Sequence, residues 1–428
     1  MPLPNNIRFD LSDYLIHFFR QVDLDSDASV VVPEIMGFNN LTEDLRWTAI
    51  FMLRCAIRHQ RLWATWSFRK GVRTIYGPSP AVCFTDMPVA AFLEAAQVRE
   101  ANGEAMSTYA LVFPKASMFS VGANPVIYGL DDRAVKPTTA GEVRSFSTDV
   151  LPLNEQYRFV AYNPLRTKPL DWTHEREWRW PFRDDMSEFE KELKEFATIS
   201  DPESMPGLRL RRSELKGMGV IVKTDKEARW VVADILALVD RGQISHNHYR
   251  FVIVGDDVTP SDLRDPGKIA NAINAATIDL APYFSVSQAA RADLTRRFDH
   301  LVASVEATAP EHAARERGGA WLWLLDGSHP LTRVLLATGR VSVSKEGRYL
   351  VALPEFSRKL WLTQREEMTA RLADLVQAEF DLEADYFSVL NSWDYDEVPF
   401  YVGQDHMDNR TFFNVSWLEK QPKRKKKS

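Results

Sequence analysis

At 428 residues the chain is too long for one ordinary hydrophobic core, so two or three domains are expected. A composition 45% hydrophobic and 26% charged, with 12 Trp and 24 Phe, excludes a disordered or fibrous protein. The net charge of −6 conceals a basic tail, Lys423-Arg424-Lys425-Lys426-Lys427, on a more acidic body. Such a terminal block reads as a solvated arm. No apolar run approaches a membrane span and Met1 to Asp10 does not resemble a secretory leader, so a cytoplasmic protein with no membrane partner is expected. Cys55 and Cys83 exclude a disulfide framework and read as buried thiols.

Taken in chain order, Tyr14 to Phe19 (YLIHFF) reads as a buried strand interrupted by His17. Asn40 with Glu43 reads as a capping box, and Leu45, Ile50, Leu53, Ile57 and Leu62 recur near helical spacing. A long helix or helical pair ending near Gly71 is therefore predicted, with Trp47, Trp63 and Trp66 thickening its apolar face. Ala81 to Thr85 reads as a strand ended by Asp86 and Pro88, followed by a helix over Val89 to Arg99. Further strands are expected at Tyr109 to Phe113, from Pro125 to Tyr128, and at Phe159 to Tyr162.

Gly219 to Lys223, a helix over Glu227 to Asp240, and Tyr249 to Val254 form a strand, helix and strand unit that could close a first domain, 1–257. A second, smaller α+β domain, 287–422, should begin with a helix from Ser287 to Val305. It should continue with strands near Trp321 to Leu325, Tyr349 to Leu353 and Phe400 to Val402 and a helix over Thr363 to Glu379. The basic tail, 423–428, stands apart from both.

Three pieces of the first half carry candidate chemistry: His17 inside its strand, Thr85 at the end of another, and Glu175-Arg176-Glu177 in a segment of alternating character. Alternation along a strand would put Glu175, Glu177 and Arg179 on one face. Paired carboxylates suit the stabilisation of an oxocarbenium-like cation, the species formed when the bond from nicotinamide to ribose breaks. Each residue also has a plainer reading: a hydrogen-bonded core histidine, a strand cap, and a solvated strand with ion pairs.

The pieces YLIHFFR, PAVCFTDMP, ALVFPKASMFSVGANPVIYGL and HEREWR, in that order, resemble the AbiGi abortive-infection family and, more distantly, the DarT-like ADP-ribosyltransferase toxins. The resemblance spans most of the first half. It implies an α+β chain with an ADP-ribosyltransferase-like, split, largely antiparallel sheet, and transfer of ADP-ribose from NAD to a nucleic acid or protein in a toxin or phage-defence setting. A cognate antitoxin is a possible partner under that resemblance, and no metal is expected. It further implies that His17 holds a ribose hydroxyl or phosphate, that Thr85 props the nicotinamide pocket, that Glu177 binds the ribose 2′-hydroxyl, and that Glu175 helps activate the acceptor. Phe19 stands where the family pattern has Thr, and His17 stands where another class has Arg, which leaves Arg20 or Arg73 to supply a phosphate contact. Two other readings remain open: a non-catalytic defence or antitoxin-like binding protein on the same fold, and an NAD glycohydrolase.

Weaker signals are His246-Asn247-His248, read as surface residues, the acidic patch Asp394, Asp396 and Glu397, read as an exposed loop, and Gly217-Met218-Gly219, which lacks the remainder of a dinucleotide fingerprint.

Overall fold

The structure, a computed structural model, describes residues 11–23, 46–69, 72–104, 106–129, 138–140, 143–165, 167, 169–196, 204–308, 310–311, 315–357 and 359–401. The expected capping box at Asn40 and Glu43, Val402 and the basic tail lie outside these residues. Two compact units result, Met1–Ala228 with Asn247–Asp279, and Arg229–His246 with Leu280–Ser428. The division thus falls later than Asp257, and the segment Arg229–His246 groups with the C-terminal unit.

The main sheet of the N-terminal unit is built from β1 (Tyr14–Phe18), β2 (Ala81–Thr85), β3 (Ala110–Pro114), β4 (Asn124–Pro125), β5 (Glu177–Pro181), β6 (Met218–Val222), β7 (Tyr249–Val254) and β8 (Thr277–Asp279). They form one sheet in the order β8-β7-β6-β3-β1-β2-β5-β4. The eight strands are hydrogen-bonded neighbours in one sheet, in which β1 and β2 are joined at a single pair, Ile16 with Thr85. Every pair is antiparallel except β6 with β7, whose chains run the same way because a helix, Asp225–Asp240, connects them in sequence. β8 extends this sheet past the expected domain end, and its short TID run carries no clear strand signal.

The sequence pattern explains the sheet's centre. β6 is buried throughout, as a strand covered on both faces must be. Gly219 is required there, because a Cβ would stand 2.1 Å from the Phe251 ring on the neighbouring strand. Gly217, at φ +77, makes the turn into the strand. The Gly217-Met218-Gly219 run is therefore a packing device. One face of the sheet buries Ile16, Val112, Ile221 and Ile253 against Phe92, Leu93 and Ala96 of the helix Val89–Ala101.

The predicted long helix is much shorter. It spans Ala49–His59, capped by Thr48, whose side chain accepts from the Phe51 N–H at 3.4 Å. Gln60 ends it in the left-handed conformation at φ 52, and its buried amide donates to Ile57 O (2.6 Å) and Tyr249 Oη (2.9 Å). The chain then turns into a strand, Arg61–Trp63, in which Leu62 pairs with Leu208, so Trp63 and Trp66 lie beyond the helix.

The C-terminal unit is α+β. Helices Gln288–Glu306, Pro330–Ala337 and Leu362–Phe380 accompany an antiparallel sheet of Gly318–Leu324, Val341–Val343, Tyr349–Val351 and Ala384–Leu390. Ser287 caps the first helix through the Ala290 N–H. Phe298, Val302, Leu322, Leu324, Leu331, Met368 and Leu372 form its core. No helix among the described residues is long and apolar enough to cross a membrane.

Candidate functional site

Backbone register assembles the site. Thr85 on β2 lies opposite Ile16 on β1 and opposite Glu177 on β5, so these three side chains share one face of the sheet. A cavity of about 600 Å³ opens there, lined by Thr85, Glu175, Glu177, Cys83 and Arg179 and by aromatic side chains that include Tyr76, Phe146, Phe159 and Trp172.

Glu177 is held at two points: Arg179 Nε donates to its Oε1 at 2.7 Å and Nη2 to its Oε2 at 3.2 Å. Arg179 is itself buried and donates through Nη1 to the carbonyls of Tyr157 (2.6 Å) and Phe159 (3.3 Å). Burial opposes its charge, but the Glu177 carboxylate outweighs that and raises its pKa. The Glu177 N–H donates to Tyr128 Oη at 3.1 Å, and that hydroxyl donates onward to Trp172 O at 3.2 Å.

Glu175 does not share a strand with Glu177. It ends a 3-10 turn, Thr173–Glu175, and Arg176 follows in the left-handed conformation at φ 47, which breaks the alternation that the sequence suggested. β5 starts only at Glu177. Both carboxylates nevertheless line the cavity, because the Thr85 hydroxyl donates to Glu175 O at 2.6 Å and accepts from the Met87 N–H at 3.2 Å. Thr85 therefore ties the turn to the sheet. Arg99 Nη1 meets Glu175 Oε1 at 3.1 Å.

His17 is not brought to the cavity. One residue past Ile16, it belongs to the opposite face, where its ring lies 5.0 Å from Phe19 and 5.7 Å from Phe84. Its Nδ1–H donates to Cys83 O at 2.8 Å, and burial lowers its pKa to about 4. The placement is that of a neutral histidine pinning β1 to β2. Arg20 is exposed at the end of β1, and Arg73 stacks its guanidinium 3.9 Å from the Trp66 ring centroid; neither lines the cavity.

Cys83 is half-buried rather than fully buried, whereas Cys55 is buried as expected. Burial, with the nearby Glu177 carboxylate, raises the Cys83 pKa, which keeps the thiol protonated and unsuited to nucleophilic attack. His248, read from sequence as a surface residue, is buried, and burial lowers its pKa to about 4; His246 is exposed. Among the described residues no group of three or more His, Cys, Asp or Glu side chains is arranged to hold a metal ion.

Sequence reasoning missed Arg144. It lines the cavity from a short strand, Val143–Ser145, and its guanidinium carbon stands 4.4 Å from the Tyr76 ring centroid. Nothing in the run Gly141-Glu142-Val143-Arg144-Ser145 distinguishes it from a surface arginine.

Residues 286–415 match the model of a family described as a protein of unknown function, DUF4427. That match lies within the C-terminal unit and leaves the residues that line the cavity outside it. No curated protein and no solved structure matches the chain.

Proposed function

We propose that the N-terminal unit binds NAD in this cavity and transfers its ADP-ribose to a macromolecular acceptor, nucleic acid or protein, as a toxin or phage-defence effector. The observation that carries the reading is the register of Thr85 with Glu177 beside Glu175, in a concave site walled by aromatic rings. The motif resemblance of the first half supports it.

In this reading the bond between the ribose C1′ and the nicotinamide nitrogen breaks, and its electron pair leaves with neutral nicotinamide. Glu177 stabilises the cation that develops on the ribose, with its carboxylate oriented by Arg179. Thr85 holds the turn that carries Glu175. The acceptor's nucleophilic atom forms the new bond to C1′, and the proton it loses passes to the Glu175 carboxylate, which Arg99 holds at 3.1 Å. This reading assigns no contact to His17, Arg20 or Arg73, none of which lines the cavity.

One observation favours a second reading. Both Glu177 oxygens already accept from Arg179, an arrangement that also suits a binding module whose carboxylate serves only structure. The two separate on incubation of the full chain with NAD labelled in the adenine ribose, in the presence of RNA, DNA or protein fractions. Transfer predicts nicotinamide release and label covalently attached to one fraction. Nicotinamide release with all label in free ADP-ribose would indicate a glycohydrolase, and no release at all would leave the binding module.

A further inference from the structure

The charges around the cavity are unevenly matched. Glu175 is met by Arg99 at 3.1 Å, and Glu177 is closed by Arg179 at 2.7 and 3.2 Å. Glu177 therefore has a guanidinium of its own, and Glu175 shares that of Arg99 with Glu104 at 2.7 Å. Arg144 lines the same cavity, and among the described residues no carboxylate stands within ion-pair distance of it. Its hydrogen bonds go to neutral oxygens: Nη1 donates to Arg73 O at 3.2 Å and Nη2 to Tyr76 Oη. Those bonds orient the guanidinium plane and, among the described residues, leave its positive charge without a carboxylate. A half-buried cation without a counter-ion favours an anion, and the planar fork of arginine matches a phosphate.

The walls specify the rest of the ligand. Tyr76 is occupied on both sides, stacked on Phe146 with ring centroids 4.8 Å apart and covered by Arg144. Tyr162, 40% exposed, lines the cavity with ring surface that the core does not consume, and the half-buried Trp172 lines it as well. Aromatic rings of this kind stack on planar heterocycles.

We propose that Arg144 is the phosphate-binding residue of the cavity and that its ligand is a nucleotide, with a phosphate on the Arg144 guanidinium and a base against the aromatic wall. The inference deepens the transferase reading and rests on it for the choice of a dinucleotide, but the preference for phosphate is measured without catalysis.

The test is calorimetric titration of the full chain with ADP and with adenosine, at low and moderate salt. Wild-type protein should bind ADP about tenfold or more tightly than adenosine, with a preference that shrinks as salt rises. Arg144→Gln should lose that preference while adenosine affinity stays the same. Equal affinity for the two probes in wild type, no binding of ADP, or an undiminished preference in Arg144→Gln overturns the proposal. Should Arg144→Gln fail to fold, Arg144→Lys carries the test: losing the fork should weaken ADP several-fold and leave adenosine unchanged, and wild-type affinities for both would overturn it. A wild-type chain that prefers ADP yet releases no nicotinamide from NAD would sink the transferase reading and leave the phosphate site standing.

Discussion

Each unit of the molecule contains an arginine that grips a carboxylate at two points, and the two pairs differ in what surrounds them. In the C-terminal unit Arg333 closes on Asp240, whose side chain is 4% exposed, with Nη2 to Oδ1 at 3.0 Å. Tyr349 Oη donates to the same carboxylate at 2.7 Å, and Arg333 Nε donates to Tyr283 O at 2.7 Å. Burial, helped by that carboxylate, raises the Tyr349 pKa well above its ordinary value, so the phenol stays a donor. In the N-terminal unit Arg179 closes on Glu177, whose side chain is 18% exposed and lines a cavity. The arginines are equally sealed, at 8% and 7% of side-chain exposure, and only the carboxylates differ. A carboxylate sealed on every side can serve only the fold, whereas one held by its neighbour and open on one side is available to a ligand.

The comparison breaks most visibly at Asp240. Asp240→Ala strands a buried guanidinium and removes the acceptor of Tyr349, and a loss of about 3–5 kcal/mol in the stability of the C-terminal unit is expected. Urea unfolding followed through a probe in that unit checks it. A loss below about 1 kcal/mol would mean that the sealed pair is no more structural than an exposed one.

A graded effect of pH falls on the N-terminal unit. His17, His59 and His248, all in the N-terminal unit, have pKa values lowered to about 4, in each case chiefly by burial. Each is neutral in the folded state and takes up a proton near 6.5 when unfolded, so the unfolded state binds more protons between those values. Stability is fully present above pH 6.5, falls as pH drops from 6.5 towards 4, and changes no further from this cause below 4. Hydrogen exchange resolved by segment should show β1 and β2 losing protection over that window, and His17→Gln should flatten part of the slope. Protection in β1 and β2 independent of pH from 6.5 to 4 would contradict the placement of these histidines.

Legibility from the sequence followed how local each determinant is. β1, β2, β3 and β7 read correctly because apolar runs bounded by Pro, Gly and Asp need no distant partner to be recognised. The helix before β2 was overextended because its apolar spacing continues past His59, and only the left-handed Gln60, locked by Tyr249 far along the chain, stops it. At the site, Thr85 and Glu177, grouped from sequence with His17, are cross-strand partners, whereas Glu175 was put on a strand that Arg176 prevents from starting. His17 does not line the cavity, and its sequence could not show this, since period-two alternation gives faces within a strand but not which face holds the cavity. Arg144 was invisible because its significance is a charge balance among residues from four distant segments.

The central claim is that the open carboxylate does chemistry while the sealed one does not. The most direct measurement is nicotinamide release from NAD by the wild-type chain and by Glu177→Gln, with melting curves taken on both. Glutamine keeps the shape and removes the charge that matters in the transition state, so turnover should fall on the order of 100-fold, or about 3 kcal/mol, with NAD affinity changed little. The loss of stability should be smaller than that of Asp240→Ala, because the glutamine side-chain carbonyl and the Tyr157 and Phe159 carbonyls still accept from Arg179. Release at the wild-type rate by Glu177→Gln, or a variant that loses stability as Asp240→Ala does, would contradict the account and make the two pairs alike.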